Sequence, residues 1–154
     1  MPADVSIDAE TPDQPEIAAF FAQSEAYMSA LYPAESNHFA PLSVLLGPDV
    51  LFLVARRRGH AIGCGAIVRA GDGTAEIKRM WTAHEARGAG VGRALLAALE
   101  DAARADGLTA LRLETGIAQP EAISLYRSRG FVDIGPFGSY VADPLSLFME
   151  KRLT

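Results

Sequence analysis

Residues 80–93 of the chain read MWTAHEARGAGVGR, a pattern that indicates a β-strand leading through a short loop into a helix. Gly88, Gly90 and Gly92 remove side chains from the first helical turn. Successive backbone N–H groups are then open to a ligand, and the helix dipole favours an anion at the same end. The segment therefore predicts a diphosphate-sized site that is built largely from main chain.

Two common phosphate loops do not match this segment. A Walker-type loop needs Gly-Lys followed by Ser or Thr, whereas Gly92 is followed by Arg93 and Ala94. The dinucleotide fingerprint needs Gly-x-Gly-x-x-Gly on the first crossover of a parallel sheet. Here the spacing is Gly-x-Gly-x-Gly, and the apolar runs before it indicate an antiparallel meander.

Hydrophobic periodicity predicts one mixed α/β (α+β) domain over residues 1–154, in the order β-α-α-β-β-β-α-β-α-β-β. The expected helices cover about 13–31, 39–46, 91–106 and 120–129, and the expected strands cover about 3–8, 50–55, 61–68, 75–82, 108–115, 131–134 and 146–151. Within the third helix, Glu100 and Arg104 have the spacing of an ion pair on the outer face.

Composition narrows the function classes. The net charge of −5 argues against nucleic acid or an anionic membrane as the main partner. The N-terminus lacks the pattern of a signal peptide, and a single cysteine, Cys64, fits a reducing cytoplasm. Cys64 lies in an apolar run typical of a buried strand, and His38, His60 and His84 show no metal-ligand spacing. We therefore expect a cytoplasmic protein without a metal site.

Two motifs resemble those of the GNAT acetyltransferase family. Residues 87–92, RGAGVG, match its [Gln/Arg]-x-x-Gly-x-[Gly/Ala] pyrophosphate loop. Residues 119–131, QPEAISLYRSRGF, resemble its second signature, Asn-x-x-Ala-x-x-x-Tyr-x-x-x-Gly-Phe, with Gln119 in place of the usual Asn. The resemblance covers most of the chain and is best from about 50 to 135.

The resemblance implies a fold and a cofactor. The fold is a mostly antiparallel central sheet of about six or seven strands, flanked by helices and splayed between the strands at 75–82 and 108–115. Acetyl-CoA would enter that wedge, and no metal is implied. The implied cofactor-binding residues are Met80, Trp81, Thr82, Arg87, Gly88, Ala89, Gly90, Val91, Gly92, Arg93, Gln119 and Tyr126.

The resemblance also suggests catalytic residues. Tyr126 would donate a proton to the departing CoA thiolate, and a backbone N–H near Met80 would stabilise the oxyanion. Glu76, four residues before Met80, is the first candidate for the base, with pairing to Lys78 or Arg79 as its alternative role. Glu114, on the neighbouring strand across the wedge, is the second candidate. Burial would adapt either carboxylate to this task by raising its pKa.

The acceptor is expected to be the primary amine of a small molecule, acetylated directly in a ternary complex. Candidate acceptor-binding residues are Tyr32, Glu35, His38 and Tyr140, because the segments 32–38 and 136–141 combine polar and aromatic groups. Two alternatives stay open: an acetyltransferase that acts on proteins, and a non-catalytic acyl-CoA sensor. The assembly state is open between a monomer and a homodimer.

Overall fold

A computed structural model describes residues 4–153 as one seven-stranded sheet with helices on both faces, in the strand order β1-β2-β3-β4-β5-β7-β6. The strands are β1 (Val5–Ala9), β2 (Val50–Arg57), β3 (His60–Arg69), β4 (Thr74–Thr82), β5 (Ala110–Gly116), β6 (Val132–Ile134) and β7 (Ser146–Arg152). The helices are α1 (Pro15–Leu31), α2 (Leu42–Leu45), α3 (Val91–Ala105) and α4 (Pro120–Ser128). The predicted mixed, mostly antiparallel fold is confirmed.

The sheet opens between β4 and β5, which are its one parallel pair among the described residues. Their pairing is limited to three positions, Thr74 with Ala110, Ala75 with Leu111 and Glu76 with Arg112. Beyond Glu76 the two strands separate, while β5 continues its antiparallel ladder with β7 to Gly116. The second half of β4 therefore pairs with β3 on one side and borders a wedge on the other, as the resemblance implies.

Helix α3 lies close to the sheet because β3 presents glycines to it. A Cβ on Gly63 would lie 3.0 Å from Leu95 Cδ1, and a Cβ on Gly65 would lie 3.3 Å from Leu99 Cδ1. Leu95 and Leu99 are fully buried in the core. This packing fixes the N-terminal end of α3 beside the wedge.

Three sequence predictions need correction or adjustment. Helix α2 has four residues because Pro41 precedes it and disfavours helical backbone at Ala40. Strand β1 is Val5–Ala9, and the first residue of the predicted strand lies outside the described range. The expected outer position of Glu100 is wrong: its side chain is fully buried and pairs with Arg129 and Lys151, with Arg104 3.8 Å away. A buried carboxylate needs such partners, so this network joins α3, α4 and β7.

No helix within residues 4–153 combines the length and apolar character that crossing a membrane requires.

Candidate active site

A groove of about 600 Å³ follows the wedge between β4 and β5. It extends from the N-terminus of α3 to α1 and the segment 36–40. Most of the residues that the sequence assigns to cofactor binding line it: Met80, Trp81, Thr82, Arg87, Gly88, Gly90, Val91, Gly92, Arg93, Gln119 and Tyr126. Ala89 belongs to the same loop but packs against the hydrophobic core.

The glycine-rich loop presents main chain at one end of the groove. Gly88 and Gly90 have φ angles of 82° and 81°, and Gly90 is the N-cap of α3. The first-turn amides of a helix have no intrahelical acceptor, so those of residues 91–93 remain available to an anion. A conformation that favours glycine, together with these amides and the positive end of the helix dipole, fits a pyrophosphate group.

Two arginines flank this loop. The Arg87 guanidinium lies 4.8 Å from the centre of the Trp81 ring, and its Nε donates a hydrogen bond to the Thr82 carbonyl oxygen at 3.2 Å. Arg93 Nη2 donates to Ser128 Oγ at 2.8 Å. Both cations line the groove and add positive charge to that end of it.

Tyr126 lies on the α4 side of the wedge. Its side chain is buried in the core, packs edge-on against Phe131 with ring centroids 5.7 Å apart, and lines the groove. Burial, and secondarily the charge of Glu114, raises the pKa of the Tyr126 phenol. The phenol therefore stays protonated at neutral pH, as a proton donor must.

Glu114 lies on β5 across the wedge from β4 and also lines the groove. Burial raises the pKa of the Glu114 carboxyl, whereas a hydrogen bond from Ser146 Oγ at 2.8 Å and the charges of His38 and Lys78 act in the opposite direction. A partly buried carboxylate with a raised pKa, exposed to a groove, has the properties of a general base.

Glu76 occupies a different environment. It accepts a hydrogen bond from the Tyr140 hydroxyl and lies 3.1 Å from Lys78 Nζ. It lines a second cavity of about 580 Å³, which shares His38, Phe39 and Lys78 with the groove. The pairing with Lys78, which the sequence offered as an alternative role, is present.

The four candidate acceptor residues separate into two pairs. His38 and Tyr140 pack edge-on with ring centroids 5.1 Å apart; His38 lines both cavities, and Tyr140 lines the second. Tyr32 is buried, and Glu35 is exposed on a short 3-10 turn. Neither of the latter two lines the groove, which differs from the expectation.

Tyr32 instead holds the loop before α4. Its hydroxyl donates to Gln119 Oε1 at 3.3 Å and accepts from the Ala118 amide at 3.0 Å. Gln119 Oε1 also accepts from the Gly116 amide at 3.2 Å. The side chain of Gln119 is therefore engaged within the protein, although the residue borders the groove.

Sequence reasoning missed several groove residues. Ser24, Tyr27 and Met28 belong to the apolar stripe of α1, which indicates core packing, yet they line the groove where it meets α1. Ser146 contacts Glu114 only because β7 pairs with β5. No local pattern could have identified these four residues, since tertiary contacts alone bring them to the site. Within residues 4–153 there is no cluster of three or more His, Cys, Asp and Glu side chains suited to a metal ion.

Comparison with known proteins gives a consistent picture. A protein of Azospirillum brasilense named IAA acetyltransferase is 52% identical over 150 residues, which is 97% of this chain and 98% of that protein. The uncharacterized N-acetyltransferase YsnE of Bacillus subtilis is 38% identical over 128 residues, 82% of this chain and 85% of its own length.

A solved structure from Klebsiella pneumoniae, assigned as an acyl-CoA N-acyltransferase, superposes with a TM-score of 0.83 at 38% identity. The match covers 97% of this chain and 98% of that one. The model of the acetyltransferase (GNAT) family matches residues 13–131. The splayed sheet, the glycine-rich start of α3 and these matches together show that the chain belongs to the GNAT acetyltransferase family.

Proposed function

We propose that this enzyme transfers an acetyl group from acetyl-CoA to a primary amine of a small molecule, with both substrates bound together. The observation that carries the proposal is that Glu114 and Tyr126 line a single groove that ends at the open N-terminus of α3. A base, an acid and an anion site thus share one cavity, which direct transfer requires. The single cysteine also favours a cytoplasmic location.

The loop from Arg87 to Arg93 would hold the pyrophosphate of acetyl-CoA. Its amides provide directed donors, and the two arginines add charge. Met80, Trp81 and Thr82 border the wedge on the β4 side, and Tyr126 borders it from α4. Gln119 would support the loop before α4 through the hydrogen bonds with Tyr32 and Gly116.

Glu114 is the base in this proposal, and Glu76 becomes the second candidate. An alkylammonium with a pKa near 10 is roughly one part in a thousand neutral at pH 7, so proton removal limits attack. The Glu114 carboxylate takes that proton, directly or through water, and the free amine attacks the thioester carbonyl. The C–N bond forms first, and the carbonyl π electrons move onto oxygen to give a tetrahedral oxyanion. As this oxyanion collapses, the C–S bond breaks and Tyr126 gives its proton to the departing thiolate. The second proton on the nitrogen then leaves to the Tyr126 phenolate, directly or through water, which completes the amide and restores the phenol. A backbone N–H near Met80 would stabilise the oxyanion.

The acceptor would lie between α1 and the segment 36–40. His38 and Lys78 lie where the groove meets the second cavity, and Tyr140 contacts both of them. The Glu114 carboxylate favours a cationic group there, which suits an ammonium, whereas the charge of Glu76 is paired with Lys78. The name of the Azospirillum relative, IAA acetyltransferase, supports a small-molecule acceptor over a protein.

The test has two readouts on the purified protein. Acetyl-CoA should raise its melting temperature, because a ligand that binds only the native state stabilises it. A panel of small amines and amino acids, followed by detection of free CoA thiol, should then identify at least one acceptor. A thermal shift without CoA release from any amine or peptide would favour the sensor alternative, and release with peptides alone would favour a protein acetyltransferase.

A further inference from the structure

Arg79 has an unusual backbone conformation in the middle of β4. Its φ angle is 59°, a left-handed value that is unfavourable for a residue with a Cβ. The β3–β4 register shifts between Cys64 and Ala66, so that Arg79 and Met80 both lie opposite Gly65. A β-bulge of this kind changes the direction in which the following residues point. Here the following residue is Met80, which borders the wedge.

The side chain of Arg79 is held by α1 and by the segment before α2. Its Nη2 lies 2.9 Å from Glu25 Oε2, and its Nε donates to the Ala40 carbonyl oxygen at 3.0 Å. The guanidinium carbon lies 4.2 Å from the centre of the Phe21 ring and 5.2 Å from that of Phe39. Only 6% of this side chain is exposed.

The backbone of Arg79 is held separately by β3. Its carbonyl oxygen accepts a hydrogen bond from Cys64 Sγ at 3.3 Å. The guanidinium Nη1, by contrast, is buried without a hydrogen-bond partner among residues 4–153. A buried unpaired donor is unfavourable, and an apolar side chain would fill this space without it. An apolar side chain lacks the planar guanidinium group, whose nitrogens contact Glu25 and Ala40 at the same time.

We propose that Arg79 is a positioning residue that couples the acceptor wall of the groove to the bulge in β4. This inference rests on the proposed function. Phe39 and Ala40 line the groove on the acceptor side, and Met80 lines it where the thioester carbonyl is expected. Arg79 links the two sides of the groove: its guanidinium contacts Phe39 and the Ala40 carbonyl oxygen, and its own peptide bond joins it to Met80. Displacement of the segment 38–40 therefore shifts the Met80 backbone, and the amine and the thioester are aligned together.

The substitution Arg79→Gly tests this coupling, because glycine keeps the left-handed backbone without strain and removes the guanidinium contacts together with the packing of the side chain on the two phenylalanines. We expect kcat to fall about 10- to 100-fold, as for misplaced reacting groups, while the dissociation constant of acetyl-CoA changes less than about 2-fold. Arg79→Lys should recover part of kcat. Arg58→Gly is the matched control, since Arg58 has a φ of 52° in the exposed β2–β3 turn. It should leave kcat unchanged.

A second readout does not depend on activity. Hydrogen–deuterium exchange should become faster in Arg79→Gly within residues 77–83 and residues 38–41 together, and remain unchanged there in Arg58→Gly. If Arg79→Gly does not fold, Glu25→Gln removes one anchor at a half-exposed position and should give a smaller change of the same kind. Unchanged kcat and unchanged exchange, or a lower melting temperature with wild-type kcat, would overturn the coupling. Wild-type protein that acetylates no amine would instead refute the proposed function. The hydrogen–deuterium exchange data would still test the coupling through Arg79.

Discussion

The Tyr140 hydroxyl donates a hydrogen bond to the Glu76 carboxylate and accepts one from the Lys78 ammonium, so that Glu76 belongs to a polar cluster that lines the second cavity. Burial and the neighbouring Glu76 raise the pKa of Tyr140, which keeps this donor protonated. Glu114, in contrast, has one hydrogen bond from Ser146 and faces the groove. The two carboxylates that the sequence offers as bases therefore differ in their hydrogen-bond partners and in the cavity that they line.

The first prediction separates these two carboxylates. Glu114→Gln should lower kcat/KM about 100-fold near neutral pH, in the range for loss of a general base, and the deficit should shrink as pH rises toward the pKa of the amine. Glu76→Gln, the matched control, should stay close to the wild-type rate. Rate–pH profiles of both variants provide the measurement. A Glu76→Gln profile with the low-pH defect and a normal Glu114→Gln profile would reverse the assignment.

The second prediction concerns the pH at which activity is lost. Because the pKa of Glu114 is raised, its active carboxylate form should disappear as pH falls through a value above the ordinary range for a glutamate. The Ser146 hydroxyl stabilises the carboxylate and lowers that pKa. Ser146→Ala should therefore move the acid limb of kcat/KM to higher pH. If the acid limb stays in place or moves to lower pH, the titration of Glu114 does not cause it.

The third prediction concerns the proton donor. Tyr126→Phe retains the ring that packs against Phe131 and removes only the phenolic proton. We expect kcat to fall about 100-fold, with little change in acetyl-CoA affinity. Steady-state kinetics and a thermal shift with acetyl-CoA measure the two quantities separately. Wild-type turnover in Tyr126→Phe would show that water protonates the thiolate and that the Tyr126 ring only packs in the hydrophobic core.

The fourth prediction tests the pyrophosphate site. Gly90→Gln should abolish the rise in melting temperature that acetyl-CoA produces, because its side chain would cover the open amides of α3. The left-handed φ of 81° adds an intrinsic penalty of roughly 1–2 kcal/mol. Gly107→Gln is the control for that penalty, since Gly107 has a φ of 75° beyond the opposite end of α3. An acetyl-CoA shift that persists in Gly90→Gln would place the pyrophosphate elsewhere.

The fifth prediction concerns the contact between Tyr32 and Gly116. A Cβ on Gly116 would lie 1.9 Å from the Tyr32 hydroxyl oxygen, so Gly116→Ala should destabilise the fold by about 1–3 kcal/mol. At this chain length, each kcal/mol corresponds to roughly 2–4 °C in Tm. The double variant Gly116→Ala with Tyr32→Ala should lose less free energy of unfolding than the sum of the two single losses, because Tyr32→Ala removes the clash. Strict additivity of the Tm shifts would contradict the contact.

The fold was largely predictable from local sequence. Period-3.6 patterns identified the helices, and period-2 alternation or continuous apolar runs identified the strands, because the spacing of apolar residues follows the geometry of each element and the number of its faces that are buried. The glycine-rich start of α3 was equally local, since open amides at a helix terminus depend only on neighbouring residues. Gly88, Gly90 and Gly92 therefore indicated from sequence alone that this end of the groove presents open main-chain amides.

What the tertiary structure decided was the environment of each titratable side chain. Glu76 and Glu114 are both strand carboxylates near the wedge, and no sequence pattern tells which one meets Tyr140 and which one meets the groove. Tyr32 looked like an acceptor contact, yet its partners Gly116 and Gln119 lie more than eighty residues away along the chain. Burial, hydrogen bonding and charge set these roles, and they arise only when distant segments pack together.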